Sequence, residues 1–302
     1  MDFKEGGIGM LVTLKEVMKD ANEKGYAVGA FNVCNLESAT AIIEAAEEMN
    51  KAVILNFAEV HSPFLSMEMA ANIMLYLAKK AKVPVCVHLD HGTSIESCIK
   101  AIRLGFTSVM IDASSTNYEA NVATTAEVVR LAHSVGVTVE AELGHIFSSD
   151  IGVGESAKEV ETVDSCEDVE NVYTNPILAK DFVERTGIDA LAIAFGTTHG
   201  IYTKKPVLDL DRITKIKKQI DIPLVMHGGS GLSKEEFQTA IKNGIRKINY
   251  YTYMTLEGGR AVKERLDQME RGDNLFFHDI PLLAIEAMKK NVKEAISIFS
   301  IM

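Results

Sequence analysis

Short apolar runs alternate with amphipathic stretches along the chain. Most of the runs show no strict alternation of apolar and polar residues, which is typical of strands buried on both faces of a parallel sheet. Segments between them, such as ESATAIIEAAEEMN and EMAANIMLYLAKKAK, have the apolar spacing of helices. The eight runs that we predict to be strands are Ala27–Val33, Ala52–Phe57, Val83–Leu89, Thr107–Ile111, Val137–Leu143, Ala190–Phe195, Ile222–Met226 and Arg246–Tyr250.

Eight strand–helix alternations predict an α/β fold, specifically a (β/α)8 TIM barrel. Two helix boundaries carry their own signals: Gly105 is a plausible helix terminator, and Ser233-x-x-Glu236 is a candidate capping box that Gly244 closes downstream. An open doubly wound sheet is the alternative, although such sheets usually have fewer strands. Because no linker rich in Pro, Gly and Ser divides the chain, we predict one domain over residues 1–302.

One crossover breaks this rhythm. Residues 144–188 separate the fifth run from the sixth, and they are roughly twice as long as an ordinary crossover. The first part of the segment is polar and acidic. We predict an extended lid loop after strand five, mobile over about residues 144–175, with a solvated surface excursion as the alternative.

Composition narrows the class of protein. The 302 residues carry a net charge of −11, which argues against nucleic acid or an anionic membrane as the main partner. Hydrophobic residues make up 47% of the chain, enough for a large core. The four cysteines, at positions 34, 86, 98 and 166, form no CxxC pair. With no evident signal peptide or membrane-length apolar run, we expect a soluble, cytoplasmic protein.

Polar side chains follow most of the predicted strands. In a barrel, the carboxyl ends of the strands converge on the active-site face. His91, His199 and His227 follow three different strands at this end. Any one of them alone would more often be a structural histidine. Together, three imidazoles with an open position are the ligand set of a catalytic Zn²⁺ site.

Carboxylates lie beside these histidines. Asp90 next to a dication is a natural general acid/base. His88 lies two positions earlier and would share the inward face of the strand, as a group that orients a ligand or as a core histidine. Asp112 and Glu142 end the next two strands. They could hold a second cation, orient the ligand histidines, or form salt bridges at the barrel mouth.

Glycine-rich turns after the late strands predict a phosphate site. THG at 198–200 and HGGSG at 227–231 leave backbone N–H groups open to a ligand, in the region where barrels often bind phosphate. Side chains at the strand ends would add hydrogen bonds, and a lysine would add charge. The residues we expect to contact substrate here are Asn32, Gly200, Lys204, Gly228, Gly229, Ser230, Asn249 and Thr252.

These motifs together resemble a known family. HLDHG, MIDAS, VEAELG, GTTHG, VMHGGSG and KIN follow one another in this order, each on the expected strand. The pattern looks like the class II, zinc-dependent ketose-bisphosphate aldolases, which include fructose- and tagatose-bisphosphate aldolases. The resemblance runs from YAVGAFN to the C-terminal helices. HLDHG combined with the two later histidines is its most specific part.

The resemblance implies roles for individual residues. His91, His199 and His227 would bind the catalytic zinc, and Asp90 would act on the C4 hydroxyl of the substrate. Asp112 and Glu142 match positions that hold a second or displaced metal, and a monovalent cation near the phosphate is common in the family. Members are generally homodimers or homotetramers. The phosphate end that becomes dihydroxyacetone phosphate would be held by Gly200, Gly228, Ser230, Asn249 and Thr252.

The sequence departs from the family pattern at two places. The stretch HIFSSDIGVGES replaces the glycine-rich segment that usually ends in a catalytic glutamate, so Glu155 is the best candidate for the second acid and Asp150 the next. After the last strand, NYYTY places Tyr251 where the family contacts the sugar and Tyr253 where an acid is usual. Tyr251 would change or narrow the specificity, or it would pack against the lid.

The leading hypothesis is a class II aldolase. It would reversibly cleave a ketose 1-phosphate or 1,6-bisphosphate to dihydroxyacetone phosphate and an aldehyde through a zinc-stabilised enediolate. Zn²⁺ would be its catalytic cofactor, with a second divalent or a monovalent cation besides. The alternative is a non-catalytic subunit or sensor that binds metal and sugar phosphate. The intact Asp90 argues against it, since a pure binder does not need an acid/base.

Overall fold

The computed structural model describes residues 10–146, 172–201, 206–270 and 272–300. Nine parallel strands form its sheet, and eight of them correspond to the eight predicted runs. Most barrel strands are buried along their whole length, as their unbroken apolar sequences indicate. The strands are β1 Leu11–Val12, β2 Val28–Asn32, β3 Val53–Ala58, β4 Val85–Gly92, β5 Ser108–Ile111, β6 Thr138–Leu143, β7 Ala190–Ile193, β8 Leu224–Met226 and β9 Ile245–Tyr250.

The sheet closes on itself as a (β/α)8 TIM barrel, which confirms the predicted fold class. Each strand from β2 to β9 pairs in parallel with its sequence neighbours. Closure comes from β2 and β9, where Ala30 lies opposite Asn249. Closure leaves no open edge among these eight strands and brings their carboxyl ends to one rim.

Helices cover the outside of the barrel. The apolar faces of these helices pack on the outward side chains of the strands, and this packing forms the larger of two hydrophobic clusters. Both predicted boundaries are present: Gly105 ends one helix at a φ of 100°, and Ser233 and Glu236 form a capping box. The helices are α1 Leu14–Lys24, α2 Leu36–Met49, α3 Met67–Lys80, α4 Ile95–Leu104, α5 Tyr118–His133, α6 Pro176–Thr186, α7 Leu210–Lys217, α8 Lys234–Asn243, α9 Thr252–Asp267 and α10 Asp279–Phe299.

The N-terminal elements close the end of the barrel opposite the polar rim. The Leu14 amide donates to Thr138 Oγ1 at the start of β6 (3.1 Å), and β1 pairs with the first residues of β4. The buried face of α1 packs on small inward side chains of the strands and completes the second hydrophobic cluster. This cluster fills the barrel interior on the side away from the polar carboxyl ends of the strands. The strand residues in it are Val28, Ala30, Ile54, Cys86, Met110, Ala190, Ala192 and Val225.

The predicted lid after strand five falls largely on residues 147–171, which lie outside the described residues. The crossover is described again from residue 172 and continues through α6. Across the described ranges, none of the helices is both long enough and apolar enough to cross a membrane.

Candidate metal centre and active site

Asp90 is held at the carboxyl end of β4 by two amides. Asn32 Nδ2 donates to one carboxylate oxygen (2.8 Å), and Asn249 Nδ2 donates to the other (2.9 Å). The side chain is almost fully buried. Burial would raise the pKa of Asp90, but the positive charges of His91, His227 and Lys247 outweigh it and hold the pKa well below its usual value. Asp90 is therefore a fixed carboxylate at the mouth of the barrel.

His91, His199 and His227 converge beside Asp90. His91 belongs to β4, His199 follows β7, and His227 comes directly after β8. His91 Nε2 lies 2.8 Å from His227 Nδ1 and 3.3 Å from His199 Nε2. One ring nitrogen from each residue lies within 4.8 Å of the others, so the three could hold one metal ion.

The hydrogen bonds on the far sides of two rings fix the direction of their lone pairs. His91 Nδ1 lies 2.7 Å from Asp112 Oδ2, and His227 Nε2 lies 2.9 Å from Glu140 Oε1. A carboxylate only accepts, so these two nitrogens carry the protons. His91 Nε2 and His227 Nδ1 then face each other at 2.8 Å, so one positive charge, a shared proton or a metal ion, lies between them.

This geometry fits a divalent transition metal. Tetrahedral coordination with Zn–N bonds of 2.0–2.1 Å requires nitrogens about 3.3 Å apart, which is close to the His91–His199 spacing and about 0.5 Å wider than the His91–His227 spacing. Burial lowers the pKa of His91, but the charge of Asp90 and the hydrogen bond that His91 donates to Asp112 outweigh it and raise the pKa to about 9. Burial, helped by the charge of His91, lowers the pKa of His199 to about 3. This pattern favours one shared positive charge at the centre.

Asp112 and Glu142 lie beside the centre on the side of His91. His91, Asp112 and Glu142 form a second group whose ligand atoms lie within 4.8 Å of one another. Ser114 donates to Asp112 Oδ1 from its backbone N–H (3.1 Å) and its hydroxyl (2.7 Å). Burial and then the charge of Asp112 raise the pKa of Glu142 to about 8. The raised pKa shows that the protein places too little positive charge beside these two carboxylates to keep both ionised. A bound cation would supply that charge.

Comparisons with known proteins decide the family. The model of the family "Fructose-bisphosphate aldolase class-II" matches residues 12–301. The chain belongs to the class II fructose-bisphosphate aldolase family. It is 44% identical to a probable fructose-bisphosphate aldolase of Bacillus subtilis, over 85% of this chain and 86% of the relative. It is 40% identical to the fructose-bisphosphate aldolase of Thermus caldophilus, over 96% of this chain and 98% of the relative.

Solved structures agree. The crystal structure of the YdjI aldolase from Escherichia coli K12 superposes with a TM-score of 0.81 at 35% identity, over 96% of this chain and 97% of that one. This protein is therefore a class II aldolase, a carbon–carbon lyase of a metal-dependent family that acts on sugar phosphates. The alternative of a non-catalytic subunit or sensor has no support from these relatives.

A buried charged network lies beneath the candidate metal centre of this aldolase. Lys247 Nζ lies 3.0 Å and 2.8 Å from the two oxygens of Glu140, which also orients His227. His88 belongs to this layer: its Nδ1 lies 2.8 Å from Ser108 Oγ, and its Nε2 lies 3.7 Å from Glu140. Burial and then Lys247 lower the pKa of His88 to about 3. His88 is therefore a neutral group below the ligands.

The glycine turn after β8 lies beside the start of α9. Gly228 has a φ of 64°, and a Cβ there would clash with the backbone carbonyl of Thr198. Ser230 Oγ accepts from the backbone N–H groups of Tyr251 and Thr252, both at 3.2 Å. The turn after β7 and the turn after β8 thus pack against each other with almost no side-chain bulk between them.

Most of the expected site residues lie within the described ranges. The structure brings together the three histidines, Asp90, Asp112 and Glu142, and it places Asn32 and Asn249 on Asp90 itself. Lys204, Asp150 and Glu155 lie outside the described residues. Sequence reasoning assigned no part to Glu140, Lys247 or His61. For Glu140 and Lys247, the only indication in the sequence was a charged residue within an apolar strand. His61 follows a strand in a segment without helical or strand periodicity, so nothing in the sequence indicated its position.

Proposed function

We propose that this aldolase reversibly cleaves a ketose 1-phosphate or 1,6-bisphosphate to dihydroxyacetone phosphate and an aldehyde, with zinc as the catalytic metal. One observation carries the proposal: ring nitrogens of His91, His199 and His227 converge within 4.8 Å of one another beside a buried carboxylate held by two amides. A metal there, with an acid/base next to it, is the arrangement that aldol chemistry without a Schiff base requires.

His91, His199 and His227 would hold the zinc. When bound, it supplies Lewis acidity toward the C2 oxygen of the substrate. Asp112 and Glu142, together with His91, would hold a second divalent cation, and a monovalent cation near the phosphate is the other candidate. Glu140 orients His227, and Asp112 orients His91, so that His91 Nε2 and His227 Nδ1 face the centre.

Asp90 is the proposed general base in cleavage. It would accept the proton of the C4 hydroxyl as the C3–C4 bond breaks, and the electron pair of that bond would remain with C3. Asn32 and Asn249 hold both carboxylate oxygens in place, which fixes the direction of this transfer. We propose Glu155 as the acid that returns a proton to C3, with Asp150 as the second choice; the glutamate in GVGE supports this order.

The phosphate end of the substrate would bind at the glycine turns. Gly200, Gly228 and Gly229 would contact it through their backbones, and Ser230 lies at the N-terminus of α9, where anions are favoured. Lys204 would add a positive charge. Asn249 and Thr252 lie on the same side, and Tyr251 would border the sugar.

We propose a cytoplasmic homodimer or homotetramer. The exposed Phe276 (63%) and Phe277 (84%) between α9 and α10 support association, because adjacent exposed aromatic residues are typical of contact surfaces. The three described cysteines are free thiols, which is consistent with the reducing cytoplasm.

Light scattering at several protein concentrations tests the oligomeric state. A monomer at all concentrations would contradict the proposed homodimer or homotetramer.

A coupled assay of dihydroxyacetone phosphate release tests the activity. Fructose and tagatose phosphates and related ketose phosphates are assayed with and without a chelator. We expect release that the chelator abolishes and zinc restores. Asp90→Asn should lower kcat by about 10²–10⁴ without changing the bound metal, because the general base is lost. The exposed Asp221→Asn is the matched control. Full turnover in excess chelator would overturn the proposal.

A further inference from the structure

His61 lies at the rim of the barrel next to Asp90. It ends a short 3-10 turn, Glu59–His61, that follows β3 directly. Ala58, the last residue of β3, is paired in register with Asp90 on β4. The turn therefore starts level with Asp90 and continues past it, and its last side chain is packed inward, with only 9% of the residue exposed.

Two aromatic rings fix the orientation of His61. The Tyr251 ring lies 4.5 Å from the imidazole, centroid to centroid, and the Phe64 ring lies 5.9 Å away. Tyr251 itself is positioned by its hydroxyl, which interacts with Cys34 and Thr255. The imidazole is thus held by residues from the ends of β3 and β9, with β2 contributing the cysteine. Such a packed ring has little freedom to find another partner.

His61 Nδ1 is buried and has no hydrogen-bond partner among the residues that the structure describes. Leaving a buried nitrogen unpaired is unfavourable, and such a group in a native fold calls for a water, an ion or a ligand as its partner. Burial lowers the pKa of His61, and the charge of Asp90 opposes this effect. The ring is therefore neutral and close enough to Asp90 for the carboxylate to act on it.

The neighbouring chemistry identifies the missing partner. In the function proposed above, on which this inference rests, Asp90 binds the C4 hydroxyl. The next carbon away from the metal is C5, and its hydroxyl becomes the hydroxyl adjacent to the carbonyl of the released aldehyde. A neutral imidazole nitrogen is a suitable partner for a neutral hydroxyl, since it offers either a lone pair or an N–H.

We propose that His61 hydrogen-bonds the C5 hydroxyl of the ketose phosphate and so selects 2-hydroxyaldehydes as the second substrate of the condensation. Tyr251 is a positioning residue for this ring. The sugar-contacting position after β9 thus acts on specificity through the imidazole as well as through its own side chain.

Two aldehydes that differ only in this hydroxyl test the assignment. The condensation of dihydroxyacetone phosphate with each enantiomer of lactaldehyde and with propionaldehyde is measured for wild type, His61→Leu and His61→Asn. His61→Leu should lower kcat/KM for the preferred lactaldehyde about tenfold, the value of one neutral hydrogen bond, and should change propionaldehyde less than about twofold. His61→Asn keeps a polar atom near the Nδ1 position and should recover part of the loss.

A control and a half-reaction separate the outcomes. The matched histidine control is His278→Leu, because His278 is exposed and its contacts within the described residues are with its chain neighbours Phe276 and Asp279. Deuterium exchange at C3 of dihydroxyacetone phosphate, measured without aldehyde, reports the proposed function alone. If wild type shows neither exchange nor condensation, the proposed function fails and the assignment with it. If wild type is active but His61→Leu lowers both aldehydes equally, the function stands and the assignment is overturned.

Discussion

Asp90 and His91 are adjacent in the chain, yet both side chains reach the centre of the barrel mouth. Successive side chains of a regular strand point to opposite sides, so one of the two must leave the strand geometry. His91 has a φ of 47°, in the left-handed region that residues with a Cβ rarely adopt. The strand pairing of β4 with β5 also shifts register between Leu89 and Gly92. Backbone strain at one residue therefore places the proposed acid/base and a proposed metal ligand side by side.

Lys247 is the residue whose loss should most disturb the layer beneath the ligands. It is fully buried and neutralises Glu140. Lys247→Met leaves a buried carboxylate without its cation, so we expect the chelated protein to lose about 3–5 kcal/mol in free energy of unfolding. Urea denaturation measures the change, with the exposed Lys242→Met as control.

Adding Glu140→Gln to Lys247→Met should restore most of that stability, because the unpaired charge is gone. Glu140→Gln alone should weaken zinc binding about 10–100-fold, because a carboxylate no longer orients His227. Undiminished stability in Lys247→Met would show that the ion pair does not hold this layer together.

At the scale of elements, the packing partner of α1 is what the sequence pattern did not predict. The apolar runs predicted all eight barrel strands because double-sided burial leaves a direct imprint on sequence. The amphipathic pattern of α1 shows which face is buried but not what it packs against. Its partners are inward side chains of β2 to β5, β7 and β8, which come from distant parts of the chain. That pairing follows from closure of the barrel, which no local pattern encodes.

We expect Met18→Ala in α1 to destabilise the protein by about 2–5 kcal/mol, since it opens a cavity where α1 closes the barrel. The neighbouring Lys19→Ala, on the exposed face, should stay within about 0.5 kcal/mol. Chemical denaturation of the two variants makes the comparison. Equal midpoints and slopes for Met18→Ala and wild type would mean that α1 does not close the barrel cooperatively.

For the whole molecule, barrel closure explains which parts of the site were predictable. Polar residues at the ends of parallel strands must meet, so the three histidines and Asp90 could be grouped from sequence alone. Contacts inside the barrel, such as that between Glu140 and Lys247, depend on register and tilt and could not be assigned. His61 lies beyond its strand in a turn, where the path of the chain decides which way the side chain faces.

Burial in the closed barrel and its helical layer also predicts how slowly two cysteines react with thiol reagents. Cys86 and Cys98 are almost fully buried, and burial raises the pKa of each to about 12. At pH 8 neither is a thiolate, so a thiol reagent should label them only as fast as the protein unfolds globally. Mass spectrometry of labelled peptides at increasing urea tests this. Rapid labelling of either cysteine in the native protein would show local opening of the barrel wall.

The most direct test of the central claim is a zinc titration of the chelated enzyme, with dihydroxyacetone phosphate release measured at each addition. The three-histidine centre predicts activity that rises with zinc and reaches its plateau at about one equivalent per chain for the catalytic position. His199→Ala should abolish this rise while leaving the barrel folded, as judged by circular dichroism. Turnover in the metal-free enzyme, or a fully active His199→Ala variant, would contradict the claim that this centre carries the reaction.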